Sequence, residues 1–317
     1  MNPPALRLAT RGSALALTQA GTVAARLTEL TGVRVELVQA RTVGDTDRRE
    51  LTVIGGTGVF VGAVRAAVVE GRAELAVHSF KDLPTAPAPG LVVAAVPPRE
   101  DPRDALVARD GLRLDELPDG ARIGTGSPRR AVQLTARARD LGRSWRVQPI
   151  RGNVDTRLAA VGAGLDAVVL AAAGLARLGR SGAATDLLSP MVMLPAPAQG
   201  ALAVEARPDL PDWLAAGLAT LDDVTAHASA VAERAVLAEL GAGCSAPVGA
   251  LAHGPTASAA DTPLRVDAVV GTADAGTVWR ASATGPWTCP ADVGVDAARQ
   301  LLAAGAGVVA GITAGSA

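Results

Sequence analysis

Residues 76–84, Ala-Val-His-Ser-Phe-Lys-Asp-Leu-Pro, hold the densest group of side chains that can do chemistry. Lys81 is the only lysine in the chain, and it stands directly before Asp82. An ammonium group next to a carboxylate favours the ionised acid, which can then stabilise a cation or transfer a proton. An exposed ion pair and a structural histidine at His78 explain the same spacing, so the segment alone leaves both interpretations open.

Arginine recurs in four loops that each follow a predicted strand. The loops carry Arg11 with Ser13, then Ser127 with Arg129 and Arg130, then Arg151 with Arg157, and finally Arg177. In open α/β sheets ligands bind at the carboxyl ends of strands, and guanidinium groups bind carboxylates through paired hydrogen bonds. Each arginine alone is typical of a protein surface. The four loops together predict a ligand with several carboxylates or phosphates.

One of these loops, residues 124–130, reads Gly-Thr-Gly-Ser-Pro-Arg-Arg. Ser127 suits a helix N-cap and Pro128 suits the first helical position. The free amides and the dipole of a helix start attract an anion, whereas arginines in the first turn oppose the dipole unless an anion is bound. The alternative is that both arginines point into solvent. The spacing fits neither dinucleotide nor nucleoside-triphosphate phosphate loops.

Other chemistries find little support in the sequence. The three histidines, His78, His227 and His253, are far apart and lack metal-ligand spacing, so we expect no metal site. Cys244 lies in a turn of small residues and is expected to be accessible, whereas Cys289 has no chemical context. Either cysteine could instead be a small buried residue.

The hydrophobic pattern predicts an α/β protein with mainly parallel sheets in two lobes. Predicted strands cover residues 6–9, 33–39, 75–77, 121–123, 146–150 and 166–170, and predicted helices cover 13–30 and 59–70 and begin after Ser127 and Asn153. Proline-rich residues 96–102 and 194–197 are expected to cross between the lobes and leave a central cleft. Beyond Pro211 the pattern changes, which predicts a third, smaller α+β unit.

The composition excludes several classes of protein. The 317 residues are 49% hydrophobic and carry a formal net charge of −1, which excludes a disordered chain and gives no overall field for attracting nucleic acid. The start of the chain lacks the pattern of a signal peptide, and the apolar residues 167–173 and 300–317 do not suit a membrane span. We therefore expect a cytoplasmic protein that binds neither nucleic acid nor membranes, and we also expect it to be a monomer.

Seven segments resemble, in order and spacing, the porphobilinogen deaminase (hydroxymethylbilane synthase) family. They are residues 11–13, 58–61, 77–84, 99–105, 124–130, 151–157 and 241–244, spread over essentially the whole chain. The resemblance implies two lobes like those of periplasmic binding proteins, with a central cleft, and a smaller α+β C-terminal domain. On this basis we expect domain 1 to comprise residues 1–98 and 196–215, domain 2 residues 99–195, and domain 3 residues 216–317.

The resemblance also implies a reaction in tetrapyrrole and haem biosynthesis. Four porphobilinogen molecules would be joined head to tail into hydroxymethylbilane, with release of ammonia at each condensation. A dipyrromethane cofactor, itself made from substrate, would be held by a thioether to Cys244. Asp82 would be the catalytic carboxylate that contacts pyrrole N–H groups and stabilises the azafulvenium cation. Cofactor contacts would be Lys81, Asp82, Ser127, Arg129 and Arg130, and substrate contacts Arg11, Ser13, Phe60, Arg151, Arg157 and Arg177.

The chain departs from the family pattern at three positions. Thr57 and Gly62 stand where many members have lysine, and Ala198 stands where a glycine is usual. Two other classes of protein share part of the pattern. A noncatalytic two-lobed anion-binding protein would need the arginines but not Asp82. A Schiff-base enzyme using pyridoxal phosphate would explain Lys81, although no phosphate cup accompanies that lysine.

Overall fold

A computed structural model describes residues 5–40, 58–243, 246–254, 263–272 and 274–308, without the side chains of residues 58–60 and 308. The chain divides into two compact units. The first comprises Met1–Glu100 with Ala201–His227, and the second comprises Asp101–Gly200 with Ala228–Ala317. The helix α7 (Val224–Glu239) contributes residues to both units.

The first unit is built on a five-stranded sheet. Its strands are β1 (Leu6–Arg11), β2 (Val35–Ala40), β3 (Leu75–Ser79), β4 (Val92–Ala95) and β10 (Leu202–Ala206), in the order β2-β1-β3-β10-β4. Helices α1 (Ala14–Thr31) and α6 (Asp212–Leu221) pack with one face of the sheet into a core that contains Leu8 and Leu27. Helix α2 (Gly58–Val69) covers the other face, where Ala9 and Val64 are buried.

The second unit contains two sheets. The larger consists of β5 (Asp104–Ala108), β6 (Arg122–Gly124), β7 (Arg146–Gln148), β8 (Ala167–Ala171) and β9 (Asp186–Leu187), in the order β7-β6-β8-β5-β9, with helices α3 (Pro128–Asp140), α4 (Val154–Ala159) and α5 (Ala172–Arg177). The smaller is an antiparallel sheet of β11 (Val248–His253), β12 (Leu264–Gly271) and β13 (Val278–Gly285), on which α8 (Pro290–Ala303) packs. This smaller sheet and its helices share a core of their own.

Helix caps lie where the sequence predicts them. Ser13 precedes α1 and its Oγ accepts a hydrogen bond from the amide of Ala16 at 3.4 Å, and Asn153 precedes α4 and accepts from the amide of Thr156 at 2.8 Å. Pro128 begins α3 as expected. Ser127 occupies the N-cap position of α3, but its side chain makes no capping hydrogen bond. Its role as a cap is therefore limited to the backbone.

The prediction of two α/β lobes and a smaller α+β part is confirmed, but the prediction of mainly parallel sheets is wrong. In each five-stranded sheet two strand pairs are parallel and two are antiparallel, because β10 runs against β3 and β4 and β5 runs against β8 and β9. Both reversed strands follow a proline-rich segment directly. No crossover helix of the βαβ type therefore precedes them to set a parallel direction.

Among the described residues, no helix combines the length and the apolar character that crossing a lipid bilayer requires. The apolar residues 167–173 instead form β8 and the start of α5, as the sequence predicts. Residues 300–303 complete α8, and a short 3-10 turn, Ala306–Val308, follows them. The predicted terminal strand lies outside the described residues.

Candidate functional site

In the first unit, Asp82 stands at the end of a short 3-10 turn, Phe80–Asp82, that follows β3 directly. Phe80 is buried, and its amide donates to the carbonyl of Ala201 at 3.0 Å. The amide of Leu83 closes the turn by donating to the carbonyl of Phe80 at 3.2 Å. The turn is thus fixed through its backbone and one buried ring, while the side chain of Asp82 is exposed and that of Lys81 is half-buried.

The strand that leads into this turn is held on both faces. On one face, the buried amide of Gln19 in α1 donates to Ser79 Oγ at 2.9 Å. On the other face, His78 Nε2 lies 3.2 Å from Oε2 of Glu205 in β10. His78 is thus a buried residue of the supporting structure, which agrees with the structural interpretation of this histidine. Asp82 therefore follows a strand end that is anchored on both faces.

Glu205 is itself part of a buried ionic cluster. Arg65 in α2 donates to it from Nε at 2.9 Å and from Nη2 at 2.7 Å, which is a bidentate pair. Burial acts to raise the pKa of Glu205, but the contacts with His78 and Arg65 outweigh it and lower the pKa to about 2. Glu205 is therefore a carboxylate that supports β3 throughout the neutral range.

Arg11 and Ser13 lie at the same sheet edge as this turn. Arg11 is the last residue of β1, which pairs in parallel with β3, so the carboxyl ends of the two strands point the same way. Arg11 is half-buried, and Ser13 is exposed. The first unit therefore presents a guanidinium, a hydroxyl, an ammonium and a carboxylate along one edge.

In the second unit, β7, β6 and β8 are parallel neighbours, so the loops that follow them share one edge. Two of these loops approach each other closely at Gly126. A Cβ atom at this position would lie 2.8 Å from the carbonyl oxygen of Ile150 and 3.8 Å from Nη2 of Arg157. Any larger residue would push the two arginine-bearing loops apart, since a contact below 3.0 Å to backbone forces a shift.

Arg129 and Arg130 converge on the buried carboxylate of Asp104, the first residue of β5. Arg129 Nη1 donates to Oδ2 at 2.7 Å, and Arg130 donates to Oδ1 from Nε at 3.0 Å and from Nη2 at 2.7 Å. Burial acts to raise the pKa of Asp104, but the two guanidinium charges outweigh it and hold that pKa far below its usual range. Two cations around one anion leave this cluster with an excess positive charge.

One nitrogen of the Arg129 guanidinium has no hydrogen-bond partner in the described part of the chain. Its hydrogen bonds to Asp104 and to the carbonyl of Leu194, at 2.7 and 2.6 Å, both come from Nη1. Its Nε is buried and has no hydrogen-bond partner among the described residues. A buried donor without a partner is costly, so this nitrogen suits an acceptor such as a carboxylate.

The other predicted arginines of this edge differ in their surroundings. Arg157 Nε donates to the carbonyl of Gly152 at 2.9 Å, and burial together with the positive charge of Arg130 lowers the pKa of Arg157. Arg177 Nη2 donates to the carbonyl of Gly200 at 2.6 Å. Arg151 is exposed. The structure thus brings Arg130 and Arg157 into one electrostatic environment, which a polyanionic ligand would stabilise.

The residues that support these arginines through hydrogen bonds were not predicted from the sequence. Gln199 is buried, and its Nε2 donates to Asp104 Oδ1 and to the carbonyl of Pro102, both at 2.8 Å. The next residue toward the N-terminus, Ala198, has φ 61°, and its amide donates to the buried Glu233 at 2.6 Å. The left-handed conformation at Ala198 explains why glycine suits this position.

A signal for two of the missed residues was present. Asp104 and Glu205 are single acids within the apolar strand sequences DALVA and LAVEA. A carboxylate in a buried strand requires a cationic partner, so each acid predicts a buried ion pair. Which arginine supplies the partner depends on the tertiary fold.

Several predicted residues lie outside the described part of the chain. Cys244 and Thr57 are among them, and Phe60 belongs to α2 although its side chain is not described. Gly62 has open space around its Cβ direction. Cys289 is exposed at the N-cap position of α8. In the part of the chain that is described, no group of three or more His, Cys, Asp or Glu residues could hold a metal ion.

Comparison with known proteins gives consistent matches. Two family models match: porphobilinogen deaminase, dipyromethane cofactor binding domain, over residues 6–214, and porphobilinogen deaminase, C-terminal domain, over residues 228–303. "Porphobilinogen deaminase 1" of Streptomyces coelicolor is 53% identical over 311 residues, which cover 96% of this chain and 97% of that protein. "Porphobilinogen deaminase" of Cutibacterium acnes is 50% identical over 334 aligned positions, with 98% of each chain covered.

Solved structures give a more distant match. Substrate binding domain 2 of Lactococcus lactis GlnP, in its open conformation, is 12% identical with a TM-score of 0.40, and the match covers 68% of this chain and 88% of that one.

Proposed function

The chain belongs to the porphobilinogen deaminase family, and we propose that Asp82 and the two arginine-bearing sheet edges are the parts of the molecule that perform the reaction of this family. The enzyme is a hydroxymethylbilane synthase, a transferase of tetrapyrrole biosynthesis. It condenses four porphobilinogen molecules head to tail and releases ammonia at each step. The observation that carries the proposed site is the exposed carboxylate of Asp82 on a turn whose backbone and preceding strand are fixed.

The enzyme uses a dipyrromethane cofactor, and we place its attachment at Cys244 through a thioether. When bound, this group supplies the terminal pyrrole carbon to which substrate is joined. The unpartnered buried Nε of Arg129 and the excess positive charge around Asp104 fit a group that carries several carboxylates. Ser127, Arg129, Arg130 and Lys81 are the proposed carboxylate contacts of the cofactor, together with Asp82 at its pyrrole N–H groups.

Substrate binding is assigned to the remaining arginines. Each porphobilinogen carries an acetate and a propionate, so negative charge accumulates as the chain grows. Arg11, Ser13, Arg151, Arg157 and Arg177 are the proposed contacts, with Phe60 near the pyrrole rings. The charge of Arg130 already disfavours the protonated form of Arg157, and a bound carboxylate would remove that repulsion. Binding energy at these loops orients the substrate for reaction.

Asp82 acts where positive charge develops. The amino group on the aminomethyl carbon of porphobilinogen leaves as ammonia, which produces a methylene-pyrrole cation, and the methylene carbon then forms a bond to a pyrrole carbon. Asp82 accepts hydrogen bonds from pyrrole N–H groups and stabilises the cation electrostatically. After the new carbon–carbon bond forms, the pyrrole loses a proton, and the same carboxylate is placed to assist this transfer.

The finer aspects of organisation belong to the same proposal. We assign residues 1–98 with 196–215, 99–195 and 216–317 to three domains. The enzyme is proposed to be a cytoplasmic monomer that binds neither nucleic acid nor membranes. Neither pyridoxal phosphate chemistry at Lys81 nor noncatalytic anion binding accounts for membership in this enzyme family.

Replacement of Asp82 tests the proposed site directly. Asp82→Asn keeps the size of the side chain but removes its charge, and turnover should fall by about 100-fold or more, as expected for loss of a catalytic acid–base group. Asp212→Asn, at an exposed aspartate of the same unit, is the matched control and should retain normal turnover. Hydroxymethylbilane formation is measured for both variants. Near-normal turnover of Asp82→Asn would remove this residue from the mechanism.

A further inference from the structure

A cavity of about 330 Å³ lies in the second unit near the carboxyl-terminal half of α3. The anion-binding arginines Arg129 and Arg130 occupy the opposite end of the same helix. The cavity is lined on one side by α3 and on another by β13, so it lies where the larger and the smaller sheet of this unit meet. Its volume falls in the range of sites for small molecules.

The residues that line this cavity include three arginines and one acid. Arg137 is neutralised by Asp115, to which it donates at 3.1 and 2.5 Å. Arg139 donates to the carbonyls of Ala275 and Gly276, at 2.8 and 3.4 Å, and its charge also acts on Asp274, which does not line the cavity. Asp140 is the acid that lines the cavity. Arg139 and Arg280 therefore outnumber it.

Of the three arginines that line the cavity, Arg280 has the fewest polar contacts. In the described part of the chain it takes part in no hydrogen bond and no ion pair, although it lines the cavity. Arg280 is exposed overall, and partial burial of its guanidinium lowers its pKa, while the charges of Asp267 and Asp140 act to raise it. A guanidinium in this position has its full set of donors available for an acceptor.

The remaining wall is apolar. Met191, Val192 and Val278 line it, and Met191 is 80% exposed. A methionine side chain adapts its shape to a ligand, and its sulfur contacts aromatic rings favourably. An apolar wall next to guanidinium donors suits a ligand with a flat apolar body and one carboxylate.

We propose that this cavity is a second anion site, distinct from the cofactor and substrate edge, which binds a small carboxylate with a flat apolar body. Arg280 donates hydrogen bonds to the carboxylate, and the apolar body of the ligand packs against Met191. The cavity wall also connects to the first site. Gln133 lines the cavity, and its side chain donates to the carbonyl of Leu194 at 3.0 Å and accepts from the amide of Leu194 at 2.9 Å. The same carbonyl accepts a hydrogen bond from Arg129. A ligand that contacts Gln133 therefore acts on the backbone of Leu194, which also binds Arg129.

The chain offers a direct readout because it has three methionines, Met1, Met191 and Met193. The full-length holoenzyme, labelled with ¹³C at the methionine methyl groups, is titrated with benzoate at constant ionic strength. The Met191 signal should shift and saturate, and the buried Met193 signal should follow with the same midpoint. Benzylamine, which has the same ring but the opposite charge, should produce no saturating shift.

Arg280→Gln removes the charge and keeps most of the side chain. Its benzoate midpoint should rise about tenfold, as expected for loss of a charge-assisted hydrogen bond. Arg299→Gln is the matched control, because Arg299 is an exposed arginine of the same unit that does not line this cavity, and it should titrate like the native enzyme. An unmoved Met191 signal, or equal midpoints for native enzyme and Arg280→Gln, would overturn the proposal.

Discussion

Arg130 donates to one oxygen of Asp104 twice, from Nε at 3.0 Å and from Nη2 at 2.7 Å. Asp104 is fully buried and the Arg130 side chain is 6% exposed, so water does not replace these bonds. The pair fixes the first turn of α3 to the start of β5. The orientation of the arginines in the proposed cofactor site therefore depends on an acid that need not contact any ligand.

Loss of the Asp104 charge should disrupt this arrangement. Asp104→Asn leaves two buried guanidinium groups without their anion, and removal of one partner from a buried ion pair costs about 3–5 kcal/mol. We expect the free energy of unfolding to fall by that order and cofactor loading to fall with it, as measured by urea denaturation and intact mass. Asp101→Asn breaks the partly exposed pair with Arg103 and should cost far less. Equal effects of the two substitutions would contradict this role.

Acid should weaken the first unit through Glu205. Its pKa is lowered from 4.5 to about 2, so its contribution is fully present above the unfolded-state value and is lost as the pH falls from about 4.5 to 2. The shift corresponds to about 3 kcal/mol. Calorimetry across this pH range should show a steeper loss of stability for the native chain than for Glu205→Gln.

The control for this pH experiment is Glu29→Gln, which alters an exposed pair with Arg26 in the same unit. It should retain the native pH dependence, because surface pairs contribute little. If Glu205→Gln follows the same acid curve as the native chain, Glu205 is not the carboxylate responsible.

Ala198 should gain stability when replaced by glycine. A left-handed conformation destabilises a residue with a Cβ by about 1–2 kcal/mol, and glycine avoids this strain. Glycine also loses more conformational entropy on folding, which reduces the gain in stability by about 0.5–1 kcal/mol. With φ 61° in the native chain, Ala198→Gly should raise the free energy of unfolding by about 0.5–1 kcal/mol. Its amide can still donate to Glu233.

Ala196→Gly lies in the same segment, outside the set of positive-φ residues, and should destabilise the chain by about 0.5 kcal/mol. Denaturant unfolding measures both variants. A loss of stability in Ala198→Gly that matches the loss in Ala196→Gly would show that the strain is absent in solution.

Local sequence determined much of the architecture. Ser13, Pro128 and Asn153 mark helix starts correctly, because capping and the fixed φ of proline act within a few residues. The reversed directions of β5 and β10 were not predicted. Strand direction within a sheet depends on which distant strand becomes the neighbour, and the pattern of apolar residues is the same for both directions.

The site was predictable in its position but not in its internal contacts. The arginine loops follow strands, and the rule that ligands bind at the carboxyl ends of strands places them at a shared edge. The sequence did not reveal that Arg129 and Arg130 share Asp104, because these partners are brought together by the strand order β6-β8-β5 in the sheet. Long-range ion pairs are a product of the tertiary fold.

Peptide-mapped mass spectrometry of the purified enzyme, before and after addition of limiting porphobilinogen, tests the central claim most directly. We predict a two-pyrrole adduct on the peptide that contains Cys244, followed by stepwise gains of one pyrrole unit each. Cys244→Ser should carry no adduct, and Cys289→Ser should behave like the native enzyme. An unmodified polypeptide that gains no mass with substrate, or an adduct that maps to Cys289, would contradict the account.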